Sequence, residues 1–540
     1  MKEELQSLVE KFNKMTSMRH PWESHWQELR DLIHPNASDF NRRTSQGERV
    51  TEQIFEGTAP WACEQLAAGL HTFLTSPVER WFSINVAGYN SDQDPMALAW
   101  LEEVADLIFR EYSRPETNFH PSVHEAYQDL GSIGTTPLYQ DWDWDSQSIT
   151  FKAIPLSDVW IDEDYKGMVD TVFRRVYWST RQIKQYFRKP ADMLPPKILE
   201  EKNEDRKWEV IHGVFPRADR NIFKLDPSNK KFASVWFCKE AECVFRRAGY
   251  DTFPYHVARW QKKAGETYGR SPGMTCLPDI KLINQMEKTQ IKSAQKQVDP
   301  PLLVPSDGFM MPIRTSPSSL IFFENGIGDN NMIKPLETRG RYDIGEDKMS
   351  QKRDHIMRCF YADWIVRDRK KERQTALEIS DDRNEMLQLM SPILGRLQNE
   401  FLGPIIVRSY NLLLNAGKIP PAPPQLQNRK LGLYYTSPAA KAQLSRKALG
   451  LRRFLQDITP LAQVDQSVLD AVDMDAVTQE LALHDEAPRR VVRSPEQIAQ
   501  IRNDRSQRQQ LQETAQAAQP LASAMKDIAT AKEKGLSLGL

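Results

Sequence analysis

Tyr268-Gly-Arg-Ser-Pro-Gly273 opens, and Asp299-Pro-Pro-Leu-Leu-Val-Pro305 closes, a segment that carries Lys281, Lys288, Lys292 and Lys296. These lysines stand seven, four and four residues apart. At about 3.6 residues per turn the spacings superimpose, so the segment is predicted as a helix with one basic face, on which Gln285 is the only other long polar side chain. The opposite side holds Ile283, Met286, Thr289, Gln290, Ser293 and Ala294, too mild a mixture for the face of a deep core. Such a helix suits a row of like helices beside an anion. Taken alone, a charged stripe is ordinarily a solvated face.

Downstream of this helix, residues 309–342 are short, Pro- and Gly-broken and β-leaning, as in Ser319-Leu-Ile-Phe-Phe323. Helix resumes near Asp343 and places Lys348, Lys352 and His355 on one face. Arg367-Asp-Arg-Lys-Lys-Glu-Arg373 follows, five basic residues against two acidic. From Gln374 to Ala416 the chain reads as helix, with kinks expected at Pro392 and Pro404. Pro420-Pro-Ala-Pro-Pro424 is a rigid spacer. Residues 438–484 read as two or three short helices and 494–534 as a polar, Gln- and Ala-rich helical tail.

Upstream, Leu5, Leu8, Val9, Phe12 and Met15 form the stripe of a first helix. Pro21 is expected to open a second, whose Trp22, Trp26, Leu29 and Ile33 share a face. A third is expected to be capped by Thr58, with Pro60 in its first turn and Leu66, Leu70, Phe73 and Leu74 buried. Residues 95–131 return to helix. Between Thr136 and Trp178, and again from Trp208 to Trp260, the apolar period becomes two, as in Thr171-Val-Phe-Arg-Arg-Val-Tyr177. A helical layer leaning on antiparallel sheet gives an α+β fold.

Length and charge bound the function. A chain of 540 residues is long enough for three or four domains, and its charges nearly cancel (27% charged, net −1), so any basic surface is local and a uniformly basic nucleic-acid coat is excluded. No apolar run approaches the ~20 residues that span a bilayer. Met1-Lys-Glu-Glu-Leu-Gln6 lacks a signal-peptide pattern. The five cysteines, Cys63, Cys238, Cys243, Cys276 and Cys359, are scattered and odd in number. The expectation is a soluble protein of a reducing compartment without a disulfide framework.

Catalytic motifs are missing. There is no G-x-x-x-x-G-K-[ST] phosphate loop, no H-E-x-x-H and no G-x-S-x-G, and Gly265, Gly269 and Gly273 are spaced for turns or close packing. His120 and His124 flank Pro121, which marks a helix start, so they are not read as a metal pair. Asp141, Asp143 and Asp145 resemble half of a calcium loop, but the glycine is lacking and Lys152 stands where the bidentate Glu belongs. A metal-dependent DNA-processing enzyme would need these carboxylates, with Asp158 or Asp162, to converge. A monomeric DNA-binding adaptor would use residues 367–373 for static binding.

Several segments resemble the head-to-tail connector, or portal, proteins of short-tailed (podovirus-type) phages. They are Arg19-His-Pro-Trp-Glu-Ser-His-Trp26, Gly57-Thr-Ala-Pro60 leading to Leu66-Ala-Ala-Gly-Leu70, and Leu74-Thr-Ser-Pro77 before Trp81-Phe82. Tyr268 to Gly273, Leu277-Pro-Asp-Ile280, Asp299 to Pro305, Gln374-Thr-Ala-Leu-Glu-Ile379 and Arg396-Leu-Gln-Asn-Glu-Phe-Leu402-Gly-Pro404 continue the series. The order and spacing carry the resemblance, collinear from about Leu5 to Leu444.

The resemblance implies a structural, non-enzymatic virion protein without cofactor, usually a ring of twelve at one capsid vertex, whose channel passes double-stranded DNA during packaging and ejection. Its implied partners are its own copies, DNA, the terminase large subunit, tail adaptor and tail tube proteins, and major capsid and scaffolding proteins, with no membrane; assembly would occur in the host cytoplasm. The implied division is a wing at 1–265, a first stem helix at 266–297, a clip at 298–342, a second stem helix at 343–363 and a channel loop at 364–375. The wing's long helix at 376–430, a crown at 431–484 and a helical tail at 485–540 complete it. On that scheme Lys281, Lys288, Lys292, Lys296, Lys348, Lys352, Arg367, Arg369, Lys370, Lys371 and Arg373 are the candidates for the DNA channel.

Overall fold

The computed structural model describes residues 2–86, 95–187, 194–298, 342–365, 389–426 and 431–435 apart from a few loop positions, the pairs 302–303 and 334–335, and the stretches 450–460, 472–484, 497–510 and 525–526. The chain divides into two units, residues 1–89 with 99–437, and residues 90–98 with 438–540. In chain order the elements are α1 (Lys2–Ile33), α2 (Thr58–Leu74), β1 (Phe82–Val86), α3 (Pro95–Tyr112), α4 (Phe119–Ser132), β2 (Thr135–Asp143), β3 (Ser148–Ala153), β4 (Val159–Glu163) and β5 (Val169–Ser179). Then come α5 (Thr180–Tyr186), α6 (Pro196–Leu199), β6 (Lys207–Pro216), β7 (Phe232–Cys238), β8 (Cys243–Tyr250), β9 (Tyr255–Arg259) and α7 (Pro272–Val298). After the short β10 (Leu302–Leu303) and β11 (Lys334–Pro335) follow α8 (Tyr342–Cys359), α9 (Ala362–Ile365), α10 (Ser391–Leu397), α11 (Gly403–Asn415) and β12 (Leu431–Tyr435). In the second unit α12 (Met474–His484) is tied to the helical stretch 497–510 by Arg502, 2.7 Å from Asp475.

The period-two pattern reads directly onto the antiparallel five-stranded sheet, ordered β4-β5-β6-β7-β8. Ile211, Val235, Phe237 and Phe173 point to one face, where Leu8, Phe12 and Met15 of α1 pack on them. Their neighbours Val210, Trp236, Cys238 and Trp208 point to the other, under Ile183 of α5 and Ile198 of α6. Alternation thus buries both faces, each beneath a helix. A second, three-stranded sheet is ordered β3-β2-β9. The mixed α+β architecture expected from the sequence is what the chain adopts.

Pro21 does not divide α1, which runs unbroken from Lys2 to Ile33. An internal proline costs about 3 kcal/mol of helix, but here the helix is buried on both sides of it. Phe12 and Met15 sit on the sheet, and Trp26, Leu29 and Ile33 are almost wholly buried. Two residues before the proline, the buried Arg19 guanidinium donates to the carbonyls of Leu156 (3.0 Å), Ser157 (2.9 Å) and Val159 (2.7 Å) and lies 4.1 Å from the Trp160 ring centre. That anchorage fixes the helix where the proline would release it.

One further expectation is corrected. Thr58 is the first helical residue of α2 rather than its cap: Gly57 occupies the N-cap position and the Thr58 hydroxyl donates to Glu56 at 2.6 Å. At Pro392 the expected interruption is a break at Met390, with the proline in the first turn of α10. The irregularity at Pro404 takes the form of one π turn, Gln398–Leu402, placed before it. Glu400 of that turn accepts from buried Arg259 at 2.9 Å. Arg259 also pairs with Glu163 (3.3 Å) and donates to the carbonyls of Thr267 (3.1 Å) and Gly167 (2.8 Å), joining β9, the β4–β5 hairpin and the α10–α11 segment.

Candidate nucleic-acid interface

The Tyr268 to Gly273 segment forms a joint between α1, α4 and α7. Tyr268 packs edge-on against Trp26 with ring centres 5.0 Å apart, and its hydroxyl accepts from the Ile161 amide at 3.3 Å. Gly269 lies against the backbone of Gly134, leaving no room for a side chain at either, and Gly273 lies against Ile33 and the Ser132 carbonyl. Ser271 then caps α7: its Oγ accepts from the Met274 amide (2.9 Å) and donates to the Ser132 carbonyl (2.7 Å). Pro272 begins the helix with its φ already set. The close packing expected of Gly269 and Gly273 is therefore what launches the lysine-bearing helix in one direction.

Once launched, α7 is buried at its base through Cys276, Leu277, Ile280 and Ile283 and becomes exposed further along. The mild composition of the non-lysine side fits only that second half. α8 packs antiparallel against it. Asp279 accepts from Lys352 Nζ (2.6 Å) and faces His355 Nδ1 (2.6 Å), while Arg353 pairs with Glu56 (2.7 Å) and Glu287 (3.5 Å). The Lys352 hydrogen bond, then that of His355, hold the Asp279 carboxyl below its ordinary range against partial desolvation. The loop before α2 clamps the pair. Asn284 Oδ1 accepts from the amides of Phe55 (2.7 Å) and Glu56 (3.2 Å), and its Nδ2 donates to the Gln53 carbonyl (2.8 Å).

The candidate cations fall into three groups. Lys281 is ion-paired with Glu28 of α1, Lys288 Nζ lies 5.0 Å from the Phe55 ring centre, and Lys352 is bonded to Asp279. Lys292 and Lys348 are exposed on the outer half of the helix pair. Lys296 lies within α7 by its backbone, and Arg367, Arg369, Lys370, Lys371 and Arg373 lie outside the described residues. The basic stripe is thus not one uniform face: its base meets α1 and the loop before α2, and its exposed cations lie beyond.

The residues that position the helix pair, Asp279, Asn284, Glu56 and Arg353, escaped the sequence reading. Their partners are dozens to hundreds of residues away, and no local spacing announces them. The carboxylates considered for metal chemistry are dispersed. Asp141 pairs with Arg408 (3.3 Å), Asp143 accepts from Ser146 (2.7 Å) within the β2–β3 hairpin, and Asp158 pairs with Arg175 (3.1 Å). His120 gains a companion that the sequence did not suggest. Its Nδ1 lies 3.2 Å from His71 Nε2 on α2, with the His124 ring centre 6.2 Å from that of His71. Among the described residues, no helix is long and apolar enough to cross a membrane.

Compared with known proteins, residues 5–492 match the sequence model of the family described as bacteriophage head to tail connecting protein. The chain belongs to that family. The connector is 27% identical over 517 residues to a probable portal protein of Bordetella phage BPP-1, covering 94% of this chain and 92% of the relative. It is 25% identical over 530 residues to the portal protein of Salmonella phage epsilon15, with 96% and 93% covered. The portal protein of Enterobacteria phage T3 matches at 21% over 379 residues, 68% of each chain. The joint around Tyr268 and the helix pair it launches both lie inside the connector's matched region.

Proposed function

We propose that this connector is a portal subunit, a structural rather than enzymatic component of the virion. Twelve copies form a ring at one capsid vertex and enclose the channel for double-stranded DNA. The observation that carries this reading is similarity to phage portal proteins over more than nine-tenths of both chains in two cases. In this assignment α7 and α8 are the stem, residues 298–342 the clip, residues 364–375 the channel loop, and residues 1–265 with 376–430 the wing. Residues 431–484 are the crown, whose first strand β12 is hydrogen-bonded to β1, and residues 485–540 its helical tail.

A duplex in transit must be held without being gripped. Contacts to phosphates carry no base information, and a few cations repeated around a ring supply attraction weak enough to slide past. Lys292, Lys348 and the basic residues 367–373 are the cations for that role, while Lys281, Lys288 and Lys352 stabilise the base of the stem. Head-to-tail contacts between copies close when the rotation per subunit divides the circle. The faces left over dock the terminase large subunit, tail adaptor and tail tube proteins, and the capsid and scaffolding proteins.

Negative-stain microscopy with native mass measurement tests the reading. Twelve subunits of 62.4 kDa give annular particles of about 749 kDa. A species that stays at 62.4 kDa at every concentration and salt overturns the ring and leaves an adaptor.

A further inference from the structure

Two thiols face each other at the base of the helix pair. Cys276, buried in the second turn of α7, and Cys359, the half-buried last residue of α8, are set beside one another by the antiparallel pairing that joins Asp279, one turn after Cys276, to His355, one turn before Cys359. His355, one turn before Cys359, brings Nε2 to 3.9 Å from the Cys359 sulfur, and its Nδ1 is 2.6 Å from Asp279 Oδ2. Carboxylate, imidazole, thiol and second thiol therefore stand in series. This order gives the two sulfurs different chemistry. The neighbouring Cys359, and then burial, push the Cys276 thiol up, so it keeps its proton. Cys276, with His355 acting against burial, pulls Cys359 down to about 7.

The other cysteines lack such neighbours. Cys63 is fully buried and raised by desolvation and the nearby Asp129 and Glu64. Cys238 and Cys243 oppose each other across β7 and β8, but burial raises both, Cys243 to about 12. Proximity of two sulfurs is common to both pairs; only Cys359 also has an imidazole beside it.

We propose that Cys276 and Cys359 form an oxidation site, closed to an intramolecular disulfide by a hydroperoxide and reopened by a small thiol, with His355 and Asp279 as positioning residues. In the first step the Cys359 thiolate attacks one oxygen of hydrogen peroxide, the O–O bond breaks, and hydroxide leaves and is protonated to water. Cys359 is then a sulfenic acid. In the second, the Cys276 sulfur attacks Cys359 Sγ, the S–O bond breaks, and the hydroxyl departs as water with the Cys276 proton. Two thiols have lost two electrons and two hydrogens, and one peroxide has become two waters. The product bolts α7 to α8 beside Asp279, at the foot of the stem. The site does not depend on the ring assignment.

The full-length protein, in the oligomeric form in which it purifies, is treated with hydrogen peroxide, alkylated under denaturing conditions, digested and analysed by mass spectrometry without reduction. The expected product is a peptide pair joined through Cys276 and Cys359 that disappears with dithiothreitol. H355Q should slow loss of the Cys359 thiol about tenfold near neutral pH and move its pH–rate profile toward that of an ordinary thiol near 8.5. C276A should stop the reaction at a Cys359 sulfenic acid that dimedone traps. Free Cys276 beside over-oxidised Cys359 in the unsubstituted protein, a Cys359 link between chains, or earlier closure of Cys238–Cys243 would each overturn the proposal.

Discussion

Lys352 Nζ lies 2.6 Å from Asp279 Oδ1, so a cation assigned to the stem is bonded to its own neighbouring helix. Asp279→Asn keeps the shape and removes the charge. Because the Lys352 side chain is 37% exposed, the expected loss is only about 1 kcal/mol by urea denaturation at neutral pH. The folded carboxyl is depressed below its ordinary value of 3.8. Its contribution is therefore present above that pH and lost as the pH falls through the lower folded value. The gap between parent and D279N should close in strong acid.

Arg259 is a different case, because its side chain is fully buried and meets Glu163, Glu400 and two carbonyls. Arg259→Met should cost about 3–5 kcal/mol, since it takes a buried cation from Glu163 and Glu400, leaving them only Lys262 and Arg396, and strips the donor from the carbonyls of Thr267 and Gly167. Arg259→Lys should recover only part, having no planar fork to reach Gly167 and Thr267 together. Thermal unfolding of the purified variants reads both.

Gly269→Ala should destabilise by about 3 kcal/mol or more. A methyl there would overlap the Gly134 carbonyl oxygen and come within 2.9 Å of Arg259 Cβ. Gly134, at φ +90°, can move little, because its own Cα faces Ser271 N. Loss of the joint should appear as α7 protease sensitivity before global unfolding.

Burial, then repulsion from His120 and His124, pushes His71 down to about 4. The folded protein keeps this imidazole neutral while the unfolded chain takes a proton near its ordinary 6.5. Stability from this site is complete above that value and falls as the pH drops from 6.5 toward 4. Asp129, raised to about 7 by burial, works in the opposite sense, so the test is a difference. His71→Asn should lose less than its parent across this window in melting temperature against pH.

Neutralising Arg369, Lys370 and Lys371 together should leave ring assembly intact and impair DNA packaging or retention. Particle counts by microscopy and packaged-DNA yield separate the two. Loss of rings instead would give this segment an architectural role.

Much of this fold was legible because it is written in local periods. The stripe Leu8, Phe12 and Met15 named the face it buries, and the strand-rich stretch from Trp208 named a sheet, though not which of the adjacent Val210 and Ile211 faces which side. Where the reading failed, a distant partner overrode a local rule. Pro21 signals a helix start in isolation, but Arg19, two residues away, is held by carbonyls more than 130 residues downstream. The lysine stripe was visible as a pattern for the same reason, while Glu28 at Lys281 and Asp279 at Lys352 were not. Spacing identifies a face; it does not identify what the face meets.

The pairing of β1 with β12, Phe82 against Tyr435 and Val86 against Leu431, carries a kinetic consequence. A ribosome that has released β1 must still make almost the whole of the first unit before that strand finds its neighbour. Contacts of such sequence separation form late, because a long loop must be closed before they yield any free energy. Nascent chains therefore cannot present the finished surface of this unit to one another until translation of the unit is nearly complete.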